Sequence, residues 1–240
     1  MRSPADSRSS GSRRNPRPED LLWLLRPGQD PGVAEADSAA IRRLRQAVRS
    51  QAGQTCGRAL TGRSHEDADD VIGTAATDDA IGFDPLPLLR ALDEHGARVV
   101  VIGQVAGIMH GSREPTGDLD LLWDGHQRQA AALAAVFASA SASLTDQDGV
   151  PVDCEPAAFG LPKLLFRTPA ASGDCCTPAL PWGALPVAGF LARCRVATAA
   201  GGFKVRYVSR ADLIQMRMAV GRVKDLRRAR ELQQPRRSPL

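Results

Sequence analysis

Residues 98–124, RVVVIGQVAGIMHGSREPTGDLDLLWD, carry the clearest structural signal in the chain. The run RVVVIG at 98–103 is continuously apolar and β-branched, which predicts a buried strand. Residues 104–110 predict a helix that starts directly at the end of this strand, and residues 111–117 predict a turn-rich loop. DLDLLW at 118–123 predicts the next strand. The segment therefore predicts a strand, a helix and a second strand in immediate succession.

The two aspartates of DLDLLW project to the same side of the predicted strand, because side chains two positions apart share a face. Adjacent carboxylates repel each other, so Asp118 and Asp120 favour a cation between them. Oxygen ligands suit Mg²⁺ or Mn²⁺, which complete their coordination with water and substrate phosphates. This pattern predicts a site for phosphoryl transfer, with two exposed acids at a strand start as the simpler interpretation.

The junction at Gly103 supplies the second part of such a site. The helix that follows it offers unpaired backbone N–H groups and the positive end of a dipole, which bind phosphate oxygens. Arg113 and Thr116 precede the carboxylates, where they either hold the nucleotide from the opposite side or support the loop. His110 is expected to pack in the core rather than to catalyse.

The rest of the chain predicts further alternation of strands and helices over residues 81–235. Helices are expected at 84–96, 127–142 and 187–194, one or two helices over 210–232, and strands at 164–168 and 203–208, with a loop over 143–160. This order gives an α/β or α+β class with a mixed sheet flanked by helices. Residues 1–80 are poor in apolar residues and rich in arginine and proline, so we expect a largely disordered extension. Within it, residues 39–50 predict a helix that either contacts RNA or is simply solvated.

The composition and charge distribution limit the classes of protein to which the chain can belong. With 240 residues, 43% hydrophobic and 24% charged, the chain fits one soluble domain with an appendage, and no apolar stretch is long enough to span a membrane. No secretory signal core is present, and five cysteines without a C-x-x-C pair predict reduced thiols in a cytoplasm. Residues 203–240 contain eleven lysines or arginines against three acidic residues. That excess is compatible with RNA contacts or with a coding bias towards arginine.

At these residues the chain resembles the polymerase-β-like minimal nucleotidyltransferase superfamily, and within it the branch related to the AbiEii toxins of toxin–antitoxin systems. The family pattern runs strand, Gly-Gly or Gly-Ser, a short helix closing in His-Gly, and R-x-T-x-D-hydrophobic-D. The chain has Gly103-Gln104, His110-Gly111 and Arg113 through Thr116 to Asp118 and Asp120. The similarity continues through Leu165-Phe166-Arg167-Thr168-Pro169, Asp212-Leu213-Ile214 and Gly221-Arg222-Val223-Lys224-Asp225, and covers residues 81–233.

The resemblance implies a nucleotidyltransferase fold and the transfer of a nucleoside monophosphate from an NTP to an acceptor hydroxyl, with release of pyrophosphate. It implies that Mg²⁺ or Mn²⁺ is the cofactor and that tRNA and a cognate antitoxin are partners. The implied metal ligands and catalytic residues are Asp118, Asp120 and Asp174, with Asp174 as base. The implied nucleotide-binding residues are Gly103, Gln104, Arg113, Thr116, Arg217 and Lys224.

Three positions depart from the family pattern. Gln104 replaces the second small residue of the Gly-Gly or Gly-Ser pair, and Arg217 replaces a lysine. The third carboxylate of the family pattern corresponds to Asp174 in one register. In a shifted register Cys176 takes its place, and its soft thiol suits Mg²⁺ poorly. These departures leave open a second class, a nucleotidyltransferase-fold binding or regulatory protein without catalysis. Transfer to a small molecule or to a protein side chain is a third alternative.

Overall fold

The computed structural model describes residues 33–234, without the side chains of residues 33–38 and 66. The first 32 residues of the expected extension, and the end of the expected domain at 235, therefore lie outside the described residues. The described part contains seven α-helices: α1 Val33–Thr55, α2 Leu86–Glu94, α3 Gly103–His110, α4 Gln127–Ser139, α5 Val187–Ala192, α6 Arg210–Val220 and α7 Val223–Gln233. None of these helices is both long enough and apolar enough to cross a lipid bilayer.

Eight strands form one mixed sheet. They are β1 Val99–Val101, β2 Asp118–Trp123, β3 Ser143–Asp146, β4 Pro151–Val152, β5 Lys163–Arg167, β6 Ser172–Cys176, β7 Arg195–Thr198 and β8 Lys204–Tyr207. Their order across the sheet is β4-β3-β5-β6-β2-β1-β8-β7. β2 pairs with β6 in parallel and with β1 in antiparallel orientation, and β1 pairs with β8 in parallel. The expected mixed α/β class is confirmed.

The centre of the sheet is the most apolar part of the molecule. All three residues of β1 are buried, and in β2 the leucines at 119 and 121 have no exposed surface. Asp118 lies beside the first of these leucines and Asp120 lies between them, and both aspartates keep part of their surface exposed. The strand therefore has one face in the core and one face that carries its two carboxylates, as its alternation predicts.

Most predicted elements are found close to their expected bounds, and the misses have physical reasons. β3 and β4 lie where a loop was expected, because SLTD and the two-residue PV are too polar or too short to give an apolar alternation. β6 has the sequence SGDCC, whose glycine and aspartate are typical of turns. Of the one or two helices expected over 210–232, the structure has two, since Gly221 ends α6 in a left-handed conformation.

The described fold reaches further towards the amino terminus than the expected boundary at residue 81. Ile41 and Leu44 of α1 are buried in the core, and α1 packs against α3 and β7. The side-chain amide of Gln51 donates to the carbonyl oxygens of Ala80 and Thr116 at 2.9 and 2.7 Å. From α1 onward, residues expected in the extension thus belong to the same packed unit as the sheet.

Candidate active site

The carboxylates of Asp120 and Asp174 lie on neighbouring strands in matching register. In the parallel pair of β2 with β6, Asp120 is opposite Asp174, whereas Cys176 is opposite Leu122. Burial raises the pKa of Asp120 well above its usual range, and the charges of Asp118 and Asp174 raise it further. Three acidic side chains are therefore close enough to act on one another, and Asp174 rather than Cys176 stands beside the first pair.

The carboxylate of Asp118 is held by two threonines. Its Oδ1 accepts hydrogen bonds from Oγ1 of Thr116 and from Oγ1 of Thr74, the latter at 2.9 Å. The two hydroxyls also contact each other at 3.1 Å, and Oγ1 of Thr74 accepts a bond from the amide of Gly117 at 3.0 Å. Thr116, which was expected to bind nucleotide, is buried and orients a carboxylate in this arrangement.

A lysine neutralises Asp174. Nζ of Lys163, at the start of β5, lies 2.8 Å from Oδ2 of Asp174. The other oxygen, Oδ1, is buried without a hydrogen-bond partner among the described residues, and Nε2 of His65 approaches it only to 3.7 Å. The attraction of Lys163 also acts on Asp120, where it opposes the rise in pKa caused by burial and by the other carboxylates. One buried acceptor in the cluster thus remains available to a further cation or donor.

Gly103 brings the start of α3 against the second aspartate of β2. Its φ of +61° is in the left-handed region, and a Cβ at this position would lie 1.7 Å from Oδ2 of Asp120. Only glycine satisfies both conditions without rearrangement. The expected junction between a strand and a phosphate-binding helix is therefore placed directly beside the carboxylates.

Gln104 and Arg217, both expected to bind nucleotide, are buried and contact each other. Nη2 of Arg217 donates to Oε1 of Gln104 at 2.6 Å and approaches the carbonyl oxygen of Gly103 at 3.4 Å. The amide nitrogen of Gln104 donates to Oγ of Ser112 at 3.1 Å and to the carbonyl oxygen of Glu114 at 2.8 Å. Burial, and then the charge of Arg228, lower the pKa of Arg217 to about 10. Their side chains support the backbone around Gly103 in this arrangement.

The basic side chains at the start of α7 lie near the same place. Nζ of Lys224 donates to the carbonyl oxygen of Asp69 at 3.0 Å, and burial followed by the charges of Arg222 and Arg228 lowers its pKa. Arg113, in contrast, has an exposed side chain, and its backbone amide donates to Glu231 at 3.2 Å. The structure thus places Lys224 near enough for the charge of Asp118 to act on it, and leaves Arg113 at the surface of the loop.

The donor types suit a hard divalent ion, because three carboxylates line adjacent strands and one of their oxygens is buried without a partner. In the arrangement shown, however, the described residues contain no three His, Cys, Asp or Glu side chains close enough together to hold a metal ion. These contacts use one oxygen of each carboxylate, Oδ2 of Asp174 and Oδ1 of Asp118, so an ion that bound the same oxygens would have to replace Lys163 and the two threonines.

Three side chains at this site were not identified from the sequence. Thr74 and His65 belong to residues 1–80, which were expected to form the extension. Both are distant in sequence from the aspartates they approach, so no local pattern indicates these contacts. Lys163 is one of only three lysines in a chain rich in arginine, which is the one signal that could have singled it out. Cys175 and Cys176 are buried next to the site, and burial together with Asp174 raises the pKa of Cys175 to about 12, so its thiol is inert at neutral pH.

Comparison of the chain with protein-family models, with curated proteins and with solved structures found no match. The resemblance to nucleotidyltransferases therefore depends on the quoted residues and on the geometry in which the fold places them.

Proposed function

We propose that this protein is a metal-dependent nucleotidyltransferase that transfers a nucleoside monophosphate from an NTP to an acceptor hydroxyl and releases pyrophosphate. The observation that carries the proposal is the register of β2 with β6, which sets Asp174 beside Asp120, with the Gly103 end of α3 against the same carboxylate. A nucleotidyltransferase needs acidic metal ligands and a phosphate-binding helix end at one place.

Each residue of the cluster then has a chemical task. Asp118 and Asp120 hold the divalent ion, which on binding supplies charge neutralisation for the triphosphate. Asp174 completes the ligand set and accepts the proton of the acceptor hydroxyl, for which its unpartnered Oδ1 is available. The first amides of α3 and the ammonium of Lys224 bind phosphate oxygens, while Thr116 fixes the orientation of Asp118.

The acceptor in this proposal is RNA, and tRNA is the acceptor that the toxin branch suggests. The positive charges of α7 support it, since Arg222 caps this short helix and Lys224, Arg227, Arg228 and Arg230 lie within it. A cytoplasmic location and a cognate antitoxin partner belong to the same proposal.

The second candidate is a nucleotidyltransferase-fold protein that binds nucleotide without catalysis. Two sets of contacts favour it. Nζ of Lys163 lies against Oδ2 of Asp174, where a metal ion would otherwise bind, and the hydroxyls of two threonines donate to Oδ1 of Asp118. An internal cation and fixed donors allow the fold to tolerate the carboxylates without any metal.

Labelled NTPs incubated with the protein, Mg²⁺ and total tRNA separate the two candidates. The enzyme should label RNA and release pyrophosphate, and Asp118→Asn should abolish both. Asp148→Asn is the matched control, because it removes an exposed carboxylate from the turn between β3 and β4. Equal nucleotide binding by the wild type and Asp118→Asn, with no pyrophosphate from either, would establish the binding protein instead.

A further inference from the structure

The residues 64–73, here called the strap, cross the basic end of α7 and reach the carboxylate cluster. Their sequence, SHEDADDVIG, contains four acidic residues and no lysine or arginine. The four basic residues nearest the start of α7 are Arg222, Lys224, Arg227 and Arg228. An acidic segment thus lies beside a basic one, whose arginines form ion pairs with Asp225 and Glu114 outside the strap.

Backbone carbonyls of the strap occupy the donors of α7. The carbonyl oxygen of Asp69 accepts from Nζ of Lys224 at 3.0 Å, and that of Asp70 accepts from the Lys224 amide at 2.9 Å. The carbonyl oxygen of Val71 accepts from Nη2 of Arg227 at 2.8 Å. Three successive carbonyls therefore bind a cationic helix start through the donors that a polyphosphate would use.

The strap also reaches the third carboxylate. His65 lies within its first two residues, and Nε2 of His65 is 3.7 Å from Oδ1 of Asp174, the oxygen without a hydrogen-bond partner. The strap consequently contacts both halves of the proposed site, the phosphate donors on α7 and the metal-binding carboxylates on the sheet.

Both ends of the strap are fixed, whereas its middle is held by hydrogen bonds and buries little apolar surface. Before it, the amide of Asp78 donates to the carbonyl oxygen of Arg63 at 2.8 Å; after it, Thr74 is buried against Thr116. Between these points the apolar side chains Val71 and Ile72 are 53% and 52% exposed. A segment that buries so little apolar surface opens at low cost while the fold around it stays intact.

We propose that the strap is an internal polyanion mimic that closes the nucleotide site and that an NTP must displace from α7. The inference rests on the proposed function, since the displaced groups are those assigned to the triphosphate. A free triphosphate carries more negative charge than three carbonyl oxygens, so it replaces them on Lys224 and Arg227 and releases His65 from Asp174. The apparent affinity for nucleotide is then reduced by the fraction of molecules in which the strap is closed.

The test weakens the strap without touching α7 or the cluster carboxylates. Oδ1 of Asp69 accepts from the amides of Val71 at 2.8 Å and Gly73 at 3.3 Å, so Asp69→Ala removes the bonds that shape the strap. The variant His65→Ala/Asp69→Ala adds loss of the contact to Asp174. Asp148→Ala is the control, because it removes an exposed acid from a turn outside the strap.

Binding of a fluorescent ATP analogue in Mg²⁺ is measured for the wild type and the three variants, with far-UV circular dichroism and thermal unfolding to establish that each is folded. We expect the double variant to bind about fivefold more tightly or better than the wild type and the control. Hydrogen exchange of the amides of residues 71–73 in the wild type should become faster when ATP is added, while α4 is unchanged.

The outcomes separate the strap from the proposed function. The proposal about the strap is refuted, and the proposed function is not, if a folded double variant has unchanged affinity for the ATP analogue or if ATP binds without faster exchange in the strap. Tighter binding with faster exchange but no pyrophosphate from any variant supports the strap and refutes catalysis. Absence of ATP binding by every variant overturns both.

Discussion

Substituting Gly103 by alanine tests whether α3 is held directly against Asp120. Two costs add. Placing a Cβ at φ +61° costs about 1–2 kcal/mol, and forcing it to within 1.7 Å of Oδ2 of Asp120 requires a rearrangement of about 1–3 kcal/mol. We therefore expect Gly103→Ala to lower the free energy of unfolding by about 2–5 kcal/mol, measured by urea denaturation followed by circular dichroism.

Gly96→Ala is the matched control, because Gly96 has φ +68° and no atom within 4 Å of the added Cβ. It should lose only the backbone contribution of about 1–2 kcal/mol. Combining Gly103→Ala with Asp120→Ala should recover about 1–3 kcal/mol relative to the sum of the single losses, since the atom that the Cβ meets is gone. Equal losses at Gly103 and Gly96, or no recovery in the double variant, would refute the close approach.

Three further variants test the cluster and the amino-terminal packing. Asp120→Asn should raise the thermal midpoint above that of the wild type at pH 7 in EDTA. Because the pKa of Asp120 is raised in the folded state, the unfolded chain loses this proton first, and wild-type stability falls as pH rises above about 4. The curves of thermal midpoint against pH for the two proteins should therefore meet near pH 4. Curves that stay parallel down to pH 4 would contradict this cause. Lys163→Met removes the fixed cation at Asp174, so Mg²⁺ should raise its thermal midpoint more than that of the wild type; an equal or smaller rise would count against a cation position there. Leu44→Ala should cost about 2–5 kcal/mol in urea denaturation and Leu60→Ala, at a 78% exposed side chain, less than about 0.5; similar costs would place α1 outside the core.

The elements that could be predicted are those whose local pattern matches their burial. β1 is β-branched and wholly buried, and β2 alternates acids with leucines, so periodicity alone identifies both. β6 escapes the same reasoning because SGDCC owes its strand conformation to its neighbours: it pairs with β2 on one side and β5 on the other. Tertiary pairing overrides local propensity at this strand, which is the one that carries Asp174.

The site was predictable where its residues are close together in sequence and hidden where they are not. Asp118, Asp120 and Gly103 fall within residues 98–124, and strand and helix periodicity fix their relative positions. Thr74 reaches Asp118 across 44 positions, and His65 reaches Asp174 from a segment whose charge suggested an unfolded extension. A sequence pattern reports charge and polarity, and it does not report which buried partner will neutralise them.

The two departures from the nucleotidyltransferase pattern at positions 104 and 217 are one change rather than two, because their side chains share a hydrogen bond of 2.6 Å. A serine at 104 would be too short to reach a guanidinium buried on α6, whose Nη2 contacts both Oε1 of Gln104 and the carbonyl oxygen of Gly103. The pair keeps a positive charge behind the start of α3. Burial lowers the pKa of Arg217 to about 10, and its Nη1 has no hydrogen-bond partner among the described residues. Gln104 therefore does not by itself argue for a loss of catalysis. The contacts that do argue for it are the lysine at Oδ2 of Asp174 and the threonines at Oδ1 of Asp118, since each occupies one of the oxygens that could bind an ion.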